Sequence, residues 1–128
     1  MLPKLLVYPT KILWHMVTLA FAFAWMVLRY QFRPDIILVQ NPPAVPTLAL
    51  CWIYAKILNC TFMIDWHNYA FSLMGLTLGR RHILVKFAKW FEDYFGAKAT
   101  KHICVTRAMK EDLSSRLNIK YVHICLNL

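Results

Sequence analysis

The chain has 128 residues, 59% of them hydrophobic and 15% aromatic, and carries a formal net charge of +9. That length holds one domain or part of one, and the composition is far from that of a disordered segment. A basic, apolar chain suits an anionic membrane surface or a phosphorylated ligand; nucleic acid is disfavoured, because the basic residues lie among aliphatic runs with no zinc spacing and no RNA-binding signature.

Residues 12–28 are an apolar run in which His15 is the only titratable group and Thr18 the only other polar one. A helix without a polar face is either deeply buried or in a membrane, and this one sits at the short end of the spanning range. The expectation is a helix packed on a sheet or dipping into a membrane interface, anchored by Trp14, Trp25 and Tyr30, with a true span as the alternative. A signal peptide fits poorly, because the run continues past the small-x-small triplet Ala22-Phe23-Ala24. Pro34 and Asp35 end the helix. Residues 36–39 are a continuous β-branched and leucine run, the pattern of a strand covered on both faces. Gln40 and Asn41 close it, and Pro42 and Pro43 stop it. A helix is expected over 46–58, with Pro46 in its first turn.

A strand over 61–64 follows, and Asp65, Trp66, His67, Asn68 and Tyr69 project from its carboxyl end. Residues 70–81, which include Gly75 and Gly79, predict a mobile connection of the kind that serves as a lid or binding loop. Over 83–95, Leu84, Phe87, Ala88, Phe91 and Phe95 fall on one face of a helix, which Gly96 is placed to end. A strand over 102–105 leads to Thr106, a good N-cap for a helix over 107–117. A last strand is expected over 121–125.

Alternation of this kind predicts an α/β fold: a parallel Rossmann-like sheet with helices on both faces. Three successive strand ends carry polar groups: Gln40 and Asn41, then Asp65, His67 and Asn68, then Thr106 and Arg107. Ligands of open parallel sheets bind beyond the carboxyl ends of the strands. Asp65 and His67 are also the side-chain types best suited to take a proton from a hydroxyl. The plain alternative has Asp65 capping a turn, Trp66 filling core and His67 satisfied at the surface. No Gly-x-Gly-x-x-Gly fingerprint, P-loop or Gly-x-Ser-x-Gly elbow is present, which argues against a generic nucleotide binder. Cys51, Cys60, Cys104 and Cys125 lie in apolar elements without Cys-x-x-Cys spacing. They read as free thiols in a reducing compartment. The scattered histidines suggest no metal site.

Four motifs in order carry a resemblance: Pro34-Asp35-Ile36-Ile37-Leu38-Val39-Gln40-Asn41-Pro42-Pro43, Ile64-Asp65-Trp66-His67-Asn68-Tyr69, Ala88-Lys89-Trp90-Phe91-Glu92 and Cys104-Val105-Thr106-Arg107-Ala108-Met109. Together they resemble the chitobiosyldiphosphodolichol β-mannosyltransferase family over nearly the whole chain. The resemblance implies part of the N-terminal domain of a GT-B glycosyltransferase. Such an enzyme transfers mannose from GDP-mannose, with inversion, to a dolichol-pyrophosphate-linked chitobiose acceptor at the cytosolic face of the endoplasmic reticulum membrane. The first βα unit and the membrane anchor of the family have no match here, nor does its C-terminal donor domain, so a partial chain is expected. Residues 1–33 would be a membrane-associated helix and residues 34–128 a partial acceptor-side domain.

The resemblance further implies roles for individual residues. His67 or Asp65 would act as general base on the acceptor hydroxyl, or orient the residue that does. Trp66 and Tyr69 would stack on sugar faces or else fill core. Gln40, Asn41, Asn68 and Thr106 would complete the acceptor site, the first two having turn formation as their alternative. Arg80, Arg81, Lys86 and Lys89 would meet phosphate or lipid head groups, or else form a solvated basic face. No cofactor is expected beyond GDP-mannose as donor substrate. Other dolichol-pathway glycosyltransferases are expected partners, and nucleic acid is not. The alternative is an inactive membrane-bound module that binds acceptor or other proteins. The sequon Asn59-Cys60-Thr61 is expected to stay unmodified on a cytosolic domain.

Overall fold

The computed structural model describes residues 4–31 and 33–124. Among the described residues, five helices and four strands follow in the order α1 (Lys4–Tyr30), β1 (Ile36–Asn41), α2 (Thr47–Leu58), β2 (Thr61–Trp66), α3 (Ala70–Leu78), α4 (Ile83–Gly96), β3 (Lys101–Cys104), α5 (Arg107–Arg116) and β4 (Val122–Ile124), with α3 and α4 consecutive. Cys125, at the end of the expected last strand, lies outside the described residues.

The strands form one parallel sheet in the order β1-β2-β3-β4. The α/β expectation therefore holds, but helices on both faces do not. Crossovers between parallel strands are right-handed, and this order steps in the same direction every time, so the crossover helices share one face. The burial pattern agrees. Ile37, Val39, Phe62, Ile64, Trp66, His102, Cys104 and Val122 are buried and face the helices, while Ile36 and Leu38 alternate outward and are about half exposed. β1 is thus an edge strand covered on one face, not on both. Its apolar outward residues imitate the pattern of a doubly covered strand. Each fully buried core side chain, such as Phe62 or Ile64, contributes about 1.5–3 kcal/mol.

α1 is longer than its apolar run predicts. It does not pack on the sheet; its contacts run to α2. Phe23 stacks on Tyr54 with centroids 4.6 Å apart, the Tyr54 hydroxyl donates to the Ala20 carbonyl at 2.8 Å, and His15 Nε2 lies 3.3 Å from Thr47 Oγ1. Within it, Thr10–Arg29 is long and apolar enough to cross a membrane, and none of that stretch is buried. At 1.5 Å per residue, twenty residues match a hydrocarbon core of about 30 Å.

The expected mobile connection over 70–81 is instead mostly helix. Gly75 is buried inside α3 against Arg80 and Val85, and Gly79 ends the helix with φ +86°, a left-handed value that favours glycine. The buried face of α4 is also rotated from expectation. Val85, Ala88, Phe91, Glu92 and Gly96 point inward, while Leu84 and Phe87 point out. Gly96 is the last residue of α4, as expected, without a left-handed backbone of its own. It is small because a Cβ there would lie 3.0 Å from Cη2 of Trp66.

Candidate active site

Register decides which strand-end residues can meet a ligand. Asn41 pairs with Trp66 and Trp66 with Cys104, so these three share the helix-covered face. Gln40 pairs with Asp65 and Asp65 with Ile103, so these share the open face. Since side chains alternate along a strand, adjacent residues of one motif take opposite roles.

Trp66 is completely buried. Its indole N–H donates to Nδ1 of His102 at 3.1 Å. His102 is therefore neutral, and burial lowers its pKa to about 4. Trp66 offers no ring face to a sugar; it is the core residue that holds β2, β3 and α4 together.

Asn41 is also fully buried. Its side-chain amide donates to the Asn68 carbonyl at 3.1 Å, and its own carbonyl accepts from the backbone N–H groups of His67 and Asn68 at 3.1 and 3.4 Å. Asn41 therefore shapes the His67–Asn68 turn from beneath and is not open to acceptor hydroxyls. Asn68 and Gln40 are exposed.

Asp65 and His67 are the two titratable strand-end side chains that the structure brings together. Asp65 leaves the end of β2 on the open face, and His67 Nε2 lies 2.9 Å from Asp65 Oδ2. Both side chains stay partly exposed, at 26% and 35%, which keeps them within reach of a ligand. With the carboxylate accepting from Nε2–H, the other ring nitrogen, Nδ1, is left with a free lone pair. That arrangement, a carboxylate fixing the tautomer of an imidazole base, suits proton abstraction from a hydroxyl.

Tyr69 is tied down. Its hydroxyl donates to Asp112 of α5 at 2.6 Å, Arg116 lies 4.5 Å from its ring centroid, and Phe71 stacks on it at 5.5 Å. Burial and the Asp112 contact push its pKa to about 12. The ring thus clamps the loop to α5 rather than standing free for a sugar. Thr106 is exposed, and its hydroxyl accepts from Met109 N–H at 3.1 Å, the capping role expected of it. Arg80, Arg81, Lys86 and Lys89 gather at the α3–α4 junction and do not join Asp65 and His67.

Sequence reasoning missed Glu92. It is fully buried, and Oε2 accepts from the N–H groups of Ala70 and Phe71 at 2.8 and 3.3 Å. A carboxylate from α4 thereby caps α3, whose own N-cap, Tyr69, makes no side-chain cap. Burial is the dominant influence and raises the Glu92 pKa to about 7, against the opposing pull of those two amides, the Arg116 charge and the Asn41 side chain. Glu92 Oε1 and Asn41 Oδ1 have no partner among the described residues. The signal was available, because Glu92 interrupts the helical spacing of Val85, Ala88 and Gly96.

The glycosyl transferase 4-like domain model matches residues 2–127. The chain is 40% identical over 120 residues to a chitobiosyldiphosphodolichol β-mannosyltransferase of Mus musculus, covering 94% of this chain and 24% of that protein. It is 37% identical over 123 residues to the protein of the same name from Pongo abelii, covering 95% and 25%. With the UDP-glycosyltransferase TURAN of Arabidopsis thaliana it shares 38% identity over 124 residues, 92% of this chain and 27% of that one. The chain thus spans about a quarter of the length of these relatives. No solved structure matches it significantly.

Proposed function

The chain belongs to the glycosyl transferase 4-like domain family, an N-terminal-type domain of the GT-B fold, and from that premise we propose that it is the acceptor side of a dolichol-pathway β-mannosyltransferase. On this reading the substrates are GDP-mannose, held mainly by a separate donor domain, and chitobiose on dolichol pyrophosphate. Transfer inverts the anomeric centre, so the acceptor hydroxyl must lose its proton as it attacks.

The observation that supports this reading most directly is the Asp65–His67 contact on the open side of the sheet's carboxyl edge. His67 takes the proton at Nδ1, and Asp65 holds the ring and balances the imidazolium that forms. Gln40 and Asn68, exposed beside the pair, hydrogen-bond acceptor hydroxyls, while Asn41, Trp66 and Tyr69 hold the turn in place. The apolar face of Thr10–Arg29 that is turned away from α2 holds the domain against the endoplasmic reticulum membrane, with the sheet on the cytosolic side.

The test is substrate binding and transfer in mild detergent. The chain is expected to retain chitobiosyl pyrophosphate lipid and to release no mannosyl product from labelled GDP-mannose unless a donor domain is supplied. Product from the chain alone would overturn the division into acceptor and donor sides. Failure to retain the lipid acceptor would overturn the proposed role of the site. Acceptor binding with no transfer, even with a donor domain supplied, would favour an inactive binding module.

A further inference from the structure

The outer face of α4 carries large exposed apolar side chains. Ile83, Phe87, Trp90 and Tyr94 are 74%, 49%, 57% and 46% exposed. They recur at i, i+4, i+7 and i+11, so they form one stripe opposite the buried face. The rings are contiguous, with Phe87 to Trp90 at 5.8 Å and Trp90 to Tyr94 at 5.7 Å.

Cations border the stripe. Lys98 lies 4.8 Å from the Tyr94 ring centroid, and Lys86 flanks the stripe on α4. A cleft of about 390 Å³ between α3 and α4 is lined by Arg80, Lys86 and Lys89, with Phe71, Leu76 and Val85 as its apolar part. Lys89 pairs with Asp93 at 2.5 Å; Arg80, Arg81 and Lys86 have no ion-pair partner among the described residues. Three unneutralised cations beside an aromatic stripe complement an anionic bilayer surface. Trp and Tyr settle at the headgroup level, and the cations meet lipid phosphates.

We infer that this face of α4 docks on an anionic lipid bilayer, with a lipid phosphate seated in the Arg80–Lys86–Lys89 cleft. This contact is separate from α1 and from the Asp65–His67 pair, so it does not depend on the transfer reaction. α2 joins the two membrane elements: Tyr54 packs on α1, and Trp52 meets Phe95 of α4 at 5.9 Å.

The full chain would be placed in nanodiscs of phosphatidylcholine, with and without phosphatidylserine, each containing a brominated lipid that quenches tryptophan. Subtracting the emission of the Trp90→Phe variant isolates Trp90 from the tryptophans of α1. Most of the Trp90 emission is expected to be lost in anionic discs and retained in neutral ones. The combined Arg80→Glu, Arg81→Glu and Lys86→Glu variant should restore it, with unchanged circular dichroism. Inorganic phosphate at the concentration of the lipid headgroups should not restore it. Unquenched Trp90 in anionic discs would overturn the inference, as would equal quenching in neutral discs. Recovery with free phosphate would reassign the cleft to a soluble ligand. A dimer cross-linked through α4 in detergent would put a second copy on the stripe instead.

Discussion

Glu92→Gln probes the electrostatics beneath the site. In the folded chain the Glu92 carboxyl titrates at about 7 instead of 4.5. Between those values the folded state holds a proton that the unfolded state has released, so stability falls as pH rises. At about 1.36 kcal/mol per pKa unit, the cost is about 3 kcal/mol and is complete above roughly pH 7. His102 has the opposite sign. Its pKa falls from 6.5 to about 4 on folding, so the unfolded state binds the extra proton in that window. Stability therefore falls by a similar amount, about 3 kcal/mol, as pH drops through it. In the native chain the two trends largely cancel from about pH 6.5 to 4.5. The glutamine keeps an oxygen for the Ala70 and Phe71 N–H groups and removes the charge. Chemical denaturation in mild detergent should find the variant about 3 kcal/mol more stable than the native chain near pH 8, and of similar stability near pH 4.5. It should then lose about 3 kcal/mol between roughly pH 6.5 and 4, where the native chain stays nearly flat. A variant with the native pH profile, or one less stable near pH 8, would refute the reasoning.

Three other outcomes are expected. His67→Ala, made in a complete enzyme that carries this domain, should lower turnover about 10²–10⁴-fold while leaving the denaturation midpoint nearly unchanged, since the side chain is partly exposed; near-native turnover would remove His67 as the base. Gly96→Ala should destabilise the chain by about 1–2 kcal/mol, because its Cβ would meet Trp66 at 3.0 Å and Leu117 at 3.3 Å, and better helix propensity offsets only part of that strain. A raised midpoint would show that the indole can shift. Asn59, exposed at the C-cap of α2, should carry no glycan in cells; a mobility shift on endoglycosidase treatment would place the domain in the lumen.

Much of the fold was legible because strands and helices announce themselves by period. The runs at 36–39 and 61–64, the Thr106 cap and the alternation of elements all appear in the structure. What the sequence could not show was strand order, and strand order alone decides how many faces of the sheet are covered. Ile36 and Leu38 read as doubly buried because they are apolar, yet they lie on the open face. The helical face of α4 was misread for a related reason. Phe87 and Leu84 are more hydrophobic than Val85 or Gly96, but the inward face is chosen by what it meets: Gly75 for Val85, the Trp66 ring for Gly96, and the bare N-terminus of α3 for Glu92. α3 itself was hidden, because its cap comes from a residue more than twenty positions away.

The same alternation divides the strand-end motif into a scaffold and a working set. Asn41, Trp66 and Cys104 lie side by side under the helices, and each makes an internal hydrogen bond. Asn41 holds the following turn, Trp66 bonds His102, and Cys104 Sγ donates to the Thr106 carbonyl at 3.4 Å. Gln40 and Asp65, one residue earlier in each strand, face the open side. A one-residue slip of β2 would exchange the two sets, burying Asp65 among apolar side chains and exposing Trp66. The buried indole therefore fixes the register that delivers Asp65 to His67. Any substitution at Trp66 should reduce function through that register rather than through a contact with ligand.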